Sequence, residues 1–266
     1  MRPWFEAMVG IMRRDAVTFL SYRAQIVSQF LAPLFSITLF YYISHVLVRR
    51  TFNTPGGYFG FVVVGLAIIQ ILTITLGVLP MSARQELISG NIERFLVSAH
   101  GPLSCLFGTM LFPMLNAVVI GALTLAMAGL IFGLPVAATA PLAIPVAVLG
   151  TVAFMPFACL LVAGVMMFKQ VASASAFLVA AITLVGGLYF PVVLLPAEIR
   201  WMSQVQPFTP AADMMRNLLV GTPLGEPAWV DLAKLAGFAI VLLPLGALLM
   251  RAAIRHGQRI GTIVEY

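Results

Sequence analysis

The feature that most limits the fold of this chain is a series of long apolar runs that contain no Asp, Glu, Lys or Arg. Five runs share this property: 24–48, 58–83, 103–134, 137–168 and 171–195. A helix of about 20 apolar residues crosses the hydrocarbon core of a bilayer, so each run is long enough to span a membrane. Only 9% of all residues are charged, whereas a soluble domain carries about 25%. The solvent of this fold is therefore lipid.

A sixth apolar run, 232–250, contains one charged residue, Lys234, near its start. Lysine side chains near the end of a membrane helix extend to the interface, so this run is also expected to cross. The sequence thus predicts an all-α polytopic membrane protein with six transmembrane helices. Its expected parts are an amphipathic interface helix at 1–23, a transmembrane domain at 24–254 and a cytoplasmic tail at 255–266.

The N-terminal segment mixes charged and apolar residues at helical spacing. Its apolar residues recur at steps of three or four and form one stripe: Phe5, Met8, Met12, Ala16 and Phe19. A helix with such a stripe lies along the membrane surface. A solvated N-terminal tail is the alternative.

A polar segment of mixed charge, 84–102, separates the second and third runs. Glu93 and Arg94 place opposite charges side by side within it. Apolar residues recur beside them at positions i, i+4 and i+7: Ile88, Ile92 and Phe95. Two charges next to an apolar face suit contact with a partner protein. An ordinary solvated loop is the alternative.

The segment 196–231 before the last run contains five prolines and both signs of charge. Pro196 and Pro210 are expected to begin two short helices. Thr209 is the expected N-cap of the second helix, and Gly221 its stop. Each helix is too short to cross the membrane, which predicts short re-entrant outer helices before the sixth span.

The distribution of Lys and Arg predicts the orientation, because these residues are enriched in cytoplasmic loops. With the N-terminus inside, ten of them lie in inner segments: Arg2, Arg13, Arg14, Arg23, Arg84, Arg94, Lys169, Arg251, Arg255 and Arg259. Five lie in outer segments: Arg49, Arg50, Arg200, Arg216 and Lys234. Both termini are therefore expected to be cytoplasmic, although the pair Arg49 and Arg50 counts against this orientation.

Several function classes are disfavoured by what the sequence contains. The net charge of +6 is concentrated at the ends of apolar runs, so no nucleic-acid partner is expected. No Gly-x-x-x-x-Gly-Lys-Ser/Thr loop occurs, so the chain is not expected to bind ATP in the P-loop manner. The three histidines are far apart, and Cys105 and Cys159 lie within apolar runs, so no metal site is expected. Uncharged spans also disfavour an ion-coupled pump.

Two segments resemble a known family. Ser89-Gly-Asn-Ile-Glu-Arg-Phe-Leu-Val-Ser98, followed by Pro102, is similar to a Gly-Thr-Leu-Glu-Arg-Leu-Leu-Val-Thr-Pro stretch after the second span of that family. The residues from Gly186 to Pro210, with Asp213 and Arg216, resemble the end of its fifth span and its outer helices. Together with the overall plan, they resemble the permease subunits of type-2 ATP-binding cassette (ABC) transporters, which are mostly exporters. The family often has proline directly after Val-Ser/Thr, where this chain has Ala-His-Gly before Pro102.

The resemblance implies a permease that works as a homodimer in the bacterial cytoplasmic (inner) membrane, in contact with membrane lipid. It would dock on two copies of an ABC ATPase subunit, which binds ATP and Mg²⁺, and would hold no cofactor itself. Its substrate would be hydrophobic, a lipid or a lipid-linked glycan. The expected ATPase-coupling residues are Arg84, Glu86, Ile88, Asn91, Ile92, Glu93, Arg94 and Phe95. Spans one and five of the family line the path or dimer interface, which gives Gln29, Ser36, Thr38, Phe177, Thr183, Gly186 and Gly187.

Two other functions remain open from the residues alone. One is a non-transport membrane scaffold that binds a partner through 84–102. The other is a lipid-modifying integral membrane enzyme, for which Glu198, Asp213 and Asp231 are the available acidic groups on the outer side. These three acidic residues are typical of helix starts, where a negative charge is stabilised by the helix dipole.

Overall fold

The computed structural model of the chain describes residues 2–46, 55–98, 101–168 and 172–260. Helices, turns and connecting loops make up these ranges, and no β-strand occurs within them. The helices, in chain order, are α1 (Arg2–Ser21), α2 (Arg23–Val46), α3 (Pro55–Thr73), α4 (Leu79–Ile88), α5 (Asn91–Val97), α6 (Pro102–Phe132), α7 (Ala143–Phe168), α8 (Ala172–Val185), α9 (Ala197–Arg200), α10 (Phe208–Val220), α11 (Ala228–Gly237) and α12 (Leu243–Ile260).

Long apolar helices account for most of the bundle. In the described part of the chain, five helical stretches are long and apolar enough to cross a membrane: Arg23–Val46, Gly57–Ile88, Pro102–Phe132, Ala140–Phe168 and Ala228–Arg259. They correspond to predicted spans one, two, three, four and six. The prediction of an all-α polytopic membrane protein is thereby confirmed, while the number of six spans remains a prediction.

The predicted fifth span, 171–195, does not form one continuous helix. Its helix α8 has 14 residues and ends at Val185. The chain turns at Gly187, whose φ of 66° lies in the left-handed region that glycine occupies readily. In the rest of the run, Leu188 is fully buried and Leu195 nearly so, whereas Val193 and Leu194 are exposed. The apolar run therefore continues past the end of α8 as a turn whose side chains are partly buried in the protein and partly exposed.

Two spans contain a π-helical turn that the sequence analysis did not predict. One, Ile74–Val78, joins α3 to α4, and the other, Phe238–Leu242, joins α11 to α12. A proline follows each turn, at Pro80 and Pro244. Proline has no N–H group, so the carbonyl four residues earlier loses its helical partner. A wider π turn accommodates this interruption without ending the helix.

The N-terminal helix α1 packs along α6. A side chain at Gly108 would lie 3.1 Å from Cδ1 of Ile11, so glycine permits the close approach of the two helices. The rings of Phe19 and Phe112 also meet, with centroids 5.5 Å apart. Most members of the predicted apolar stripe are partly buried: Met8, Met12, Ala16 and Phe19. Phe5 differs, because 69% of its surface is exposed.

Helices α7 and α12 pack side by side. A side chain at Gly246 would lie 3.1 Å from Cβ of Cys159 and 3.2 Å from the carbonyl oxygen of Pro156. This register places the end of α12 beside the end of α7, at the end of the bundle where α4 finishes and α6 begins. We call it the basic end, because it carries the described residues Arg84, Arg94, Arg251, Arg255 and Arg259. Residues 261–266 of the predicted tail lie outside the described residues.

The predicted outer segment forms the short helices α9 and α10. Helix α9 follows Pro196, and α10 ends before Gly221, whose φ is 73°, as the sequence analysis expected. Helix α10 begins at Phe208, with Pro207 at the N-cap position, so the expected N-cap role of Thr209 is wrong. The Thr209 hydroxyl instead donates to the carbonyl oxygen of Gly186 at 3.3 Å. This bond connects α10 to the end of α8.

Candidate functional site

The polar segment at the basic end consists of the last turn of span two, a tight turn and the short helix α5. The turn reverses at Gly90, whose φ of 70° favours glycine. The backbone N–H of Gly90 donates to the carbonyl oxygen of Leu87 at 3.1 Å, which closes the turn. The segment is therefore an ordered extension of span two.

Glu86 connects three elements at this end. Its Oε1 accepts a hydrogen bond from Nη2 of Arg14 on α1 at 2.8 Å, and its Oε2 accepts one from Nδ2 of Asn91 on α5 at 2.7 Å. Arg14 also donates to Oδ1 of Asp15 at 2.8 Å. Burial raises the pKa of Asp15, and the contact with Arg14 partly offsets this effect. Bonds to charged groups are the stronger class of hydrogen bond, so Glu86 fixes α5 and α1 to the end of span two.

Two of the predicted coupling residues are buried in the protein's own core. Ile92 is 2% exposed and Phe95 is 9% exposed, and both belong to the same apolar cluster as Leu87. The expectation of one exposed apolar face is therefore corrected: of its three residues, only Ile88 lies at the surface, with 48% exposure. A seven-residue helix is unstable alone, and these buried residues anchor it to the bundle.

The segment 84–102, which we call the coupling segment after its predicted role, presents other side chains at its surface. Arg94 is exposed, and 87% of the surface of Val97 is accessible. Arg84 is partly buried, and its Nε is a buried atom with no hydrogen-bond partner among the described residues. The structure describes only the backbone of Glu93, so the predicted role of its side chain remains a prediction.

A large groove lies between span two and α8. Its volume is about 960 Å³, which is within the usual size range for small-molecule sites. It extends from Gln85 at the basic end to Tyr189 beyond the end of α8. Most of its lining is aliphatic, and the polar groups facing it include Ser82 and Thr183. We call this feature the groove; its shape and lining suit an apolar or amphiphilic molecule.

The predicted path residues of span five lie near the groove. Thr183 lines it, and its hydroxyl donates to the carbonyl oxygen of Val179 at 2.6 Å. Phe177 is on the outer surface of α8, with 72% exposure. Gly186 and Gly187 form the turn that ends the helix.

The predicted path residues of span one lie elsewhere. Gln29 accepts a hydrogen bond from Asn116 on α6 at 3.2 Å. Ser36 borders a separate small cavity of about 230 Å³, and the hydroxyl of Thr38 donates to the carbonyl oxygen of Leu34. The groove is thus lined by spans two and five, and the assignment of spans one and five to the path or dimer interface stays a prediction. The alternation of small and polar residues along span two is the signal that could have identified its lining.

Arg216 on α10 is a central structural residue that the sequence analysis did not assign to a site. It is 2% exposed, and its guanidinium lies 3.4 Å from the centroid of the Phe61 ring. It pairs with Asp213 at 3.3 Å. It also donates to three carbonyl oxygens, at 3.2, 2.9 and 3.0 Å, which belong to Phe61, Gly187 and Leu188. Arg216 therefore satisfies the polar backbone that the break after α8 exposes, and it connects that break to span two.

The break after α8 also requires a glycine on span two. A side chain at Gly65 would lie 2.0 Å from the carbonyl oxygen of Leu188, so only glycine fits at this position. Span two and the end of span five are therefore in backbone contact at one end of the groove. At the other end of the groove, span two continues into the coupling segment.

The long apolar helices form a bundle with a groove of small-molecule size and an ordered polar turn at one end, an arrangement that suits the membrane component of a transporter. The family model described as "ABC-2 family transporter protein" matches residues 45–248. This match covers most of the 266 residues, and the chain therefore belongs to that family. It is a permease component of an ABC transporter, and membership implies an ABC ATPase as its partner. A comparison with curated proteins finds no match.

Proposed function

We propose that this chain is the permease subunit of an ATP-driven exporter that moves a hydrophobic, lipid or lipid-linked glycan substrate out of the cytoplasm. The observation that carries the proposal is the groove of about 960 Å³, which follows span two towards the coupling segment. Its aliphatic lining suits an apolar substrate, because apolar surface gains free energy when it leaves water. Movement of span two would therefore act directly on a bound molecule.

The coupling segment is the proposed docking site for the ATPase. Ile88, Arg94 and Val97 are exposed there, beside a turn that Glu86 holds in place. A rigid, mixed polar and apolar surface at the end of a long helix can receive force from a soluble partner and transmit it along the helix. The ATPase, present in two copies, binds ATP and Mg²⁺, and the permease needs no cofactor of its own.

A second copy of the chain is proposed to complete the transport path. The groove is open on one side, and the neighbouring faces of α2 and α8 carry large exposed apolar residues such as Phe35 and Phe177. A homodimer would bring two grooves together, with lipid covering the remaining apolar surface. We place this dimer in a bacterial cytoplasmic membrane, with the basic end and both termini inside, in line with the enrichment of Lys and Arg in cytoplasmic loops.

Capture of the partner tests the proposal. The tagged full-length chain is purified from its native membrane, and the bound proteins are identified by mass spectrometry. An ABC ATPase in equal amount is expected, and substrate-stimulated ATP hydrolysis is expected after reconstitution into vesicles. Purification of the chain without any ATPase, under conditions that preserve membrane complexes, contradicts the proposal.

The orientation is tested separately with single cysteines in a variant that lacks Cys105 and Cys159. A membrane-impermeant reagent is expected to label cysteine at Asn53 or Gln204 in intact cells. Cysteine at Asn91 or Gln258 is expected to react only after the membrane is opened. The reverse pattern contradicts the proposed orientation.

A further inference from the structure

A second cavity, polar in character, lies at the basic end between α1, α2, span two and α6. Its volume is about 440 Å³. Half of its lining residues carry a side-chain amide or hydroxyl, among them Thr18, Tyr22, Gln25, Gln29, Gln85 and Asn116. We call this feature the polar cavity. Of the four side-chain amides around the cavity, only those of Gln29 and Asn116 bond to each other and so connect two helices. The other two amides form no such connection among the described residues.

The free hydrogen-bonding capacity of the polar cavity is that of neutral amides. Asn116 donates to Gln29 at 3.2 Å, which leaves the remaining amide groups of both residues available. The structure gives the side chains of Gln25 and Gln85 no hydrogen-bond partner among the described residues. Each amide presents both a donor and an acceptor, which matches hydroxyl and amide groups on a ligand.

The charges of the polar cavity are already paired. Arg14 contacts both Asp15 and Glu86 at 2.8 Å, and the second oxygen of Glu86 accepts a bond from Asn91. Two carboxylates and one guanidinium leave a formal charge of −1, which disfavours a phosphate or carboxylate ligand. Both oxygens of Glu86 are bonded and Asp15 is bonded to Arg14 through Oδ1, so a cationic group would have to compete with Arg14 for either carboxylate. The lining therefore favours a neutral polar group over an ion of either sign.

The polar cavity and the groove share one edge. Val78, Ser82 and Gln85 line both of them. These residues are spaced at i, i+4 and i+7, so they form one ridge along span two. The polar cavity lies on one side of the ridge and the aliphatic groove on the other. A molecule across the ridge would therefore meet amides at one end and aliphatic side chains at the other.

We propose that the two cavities form a bipartite site for an amphiphile with an uncharged, hydroxyl- or amide-rich head group. The head would bind among Gln25, Gln29, Gln85 and Asn116, and the apolar tail would lie in the groove. This inference rests on the proposed function and narrows its substrate class. It selects neutral polar heads over phosphate and over quaternary ammonium heads on tails of equal length.

Equilibrium binding to the purified full-length chain in lipid nanodiscs tests the site, without nucleotide or ATPase. The probe is radiolabelled dodecyl maltoside below its micellar concentration, with empty nanodiscs as the blank. The competitors are unlabelled dodecyl maltoside, dodecyl phosphate and dodecyltrimethylammonium. Saturable binding is expected, and the maltoside is expected to compete at least about tenfold better than either ion, since it keeps two or more hydrogen bonds. Equal competition by the three heads, or better competition by an ion, overturns the proposal.

Separate variants test the two halves of the site, the polar cavity and the groove. Gln25→Leu with Gln85→Leu is expected to weaken maltoside binding about tenfold and to leave dodecyl phosphate unchanged, since two hydrogen bonds are lost. Gln258→Leu, an exposed amide on α12 outside the cavity, is the matched control and should bind normally. Val179→Trp fills the groove and should weaken the maltoside probe irrespective of its head.

The outcomes separate this inference from the proposed function. Normal maltoside binding by the double glutamine variant overturns the inference, while the capture of an ATPase is unaffected by that result. Head-selective binding by a chain that never associates with an ATPase leaves the site in place and contradicts the proposed function. The side chains of Gln25 and Gln85 are exposed and have no hydrogen-bond partner within the described ranges, so the variants are expected to fold, and size-exclusion chromatography checks this.

Discussion

Asn91 donates a hydrogen bond of 2.7 Å to Glu86 across the Gly90 turn, and it thereby connects the short helix α5 to the last turn of span two. The other carboxylate oxygen of Glu86 holds Arg14 of α1 at 2.8 Å. The two oxygens of the Glu86 carboxylate thus bond to residues of two different helices, α1 and α5. Displacement of α5 by a docked partner would therefore move α1 and span two together.

Substitution of Asn91 tests this connection. Asn91→Asp places a second carboxylate beside Glu86, and the repulsion is expected to separate α5 from span two. We expect a lower number of substrate molecules transported per ATP hydrolysed, with little loss of stability, because partly exposed charge contacts contribute about 0–1 kcal/mol. Coupling is measured in reconstituted vesicles.

The matched control for this test is Gln258→Glu, which converts an exposed amide into an acid at the same end of the bundle. Its coupling should equal that of the unmodified protein. An equal coupling ratio for Asn91→Asp as well would show that the bond does not transmit force.

The charged pair of α5 is the second target. Glu93→Ala with Arg94→Ala is expected to weaken the complex with the ATPase or to uncouple hydrolysis from transport. Loss of a buried charged contact at an interface costs about 2–5 kcal/mol of binding free energy. ATPase capture and transport by the double variant are the measurements, after normal membrane insertion has been confirmed.

Glu226→Ala with Lys234→Ala is the control for the charged pair, since these two residues form an ion pair of 2.6 Å between the loop before α11 and its last turn, far along the chain from α5. It removes the same two charge types. A wild-type result for Glu93→Ala with Arg94→Ala would mean that the charged pair of α5 takes no part in ATPase coupling.

Arg216 is expected to be the most sensitive position of the outer segment. Arg216→Met leaves three carbonyl oxygens without their donor and removes the cation from the face of Phe61. The expected loss is about 3–5 kcal/mol of unfolding free energy, the range for breaking a buried charged contact. Thermal unfolding in nanodiscs measures it. Arg200→Met is the control, because Arg200 is exposed and its loss should cost less than about 1 kcal/mol. Equal unfolding temperatures for the two variants would contradict the assigned role.

Gly65 provides a test of the backbone contact between span two and the break after α8. Gly65→Ala would place a methyl group 2.0 Å from the carbonyl oxygen of Leu188, so the two segments must separate. We expect a loss of more than about 1 kcal/mol, the lower limit for overpacking of a tight site. Gly77→Ala, in the same span with nothing within 4 Å, is the control and should be neutral or stabilising. An unchanged unfolding temperature for Gly65→Ala would show that the contact is not close.

Much of the fold follows from the sequence, because uncharged runs longer than a bilayer crossing have few alternatives to a helix. The end of α8 does not follow, since residues buried by the protein and residues exposed to lipid are equally apolar; Leu188 is an example. The π turns were also missed, because a proline such as Pro80 predicts an interruption but not its form.

The candidate site was predictable in position but not in detail. The mixed charge of 84–102 located it, yet helical spacing alone could not distinguish a face towards a partner from a face towards the core. Ile92 and Phe95 were predicted to face a partner, but the structure buries both of them in the core of the protein. Arg216 could have been singled out from the sequence, since an arginine on a short, mostly apolar helix must find a partner once it is buried.

The π turn Ile74–Val78 has a consequence for how span two tolerates insertions and deletions. Each residue of an α-helix advances the side chains by about 100° around the axis. The π turn holds one residue more than an α-helical turn, so the ridge of Ser82 and Gln85 is rotated by about that angle from where an uninterrupted helix would place it. Deletion of one residue from the turn, such as Gly77, would restore an α-helical turn and keep this ridge facing the groove. Deletion of a residue from the α-helical part of α3 would instead rotate the ridge by about 100° relative to the start of the span. The length of span two, and not only its composition, thus determines which side chains a bound molecule meets.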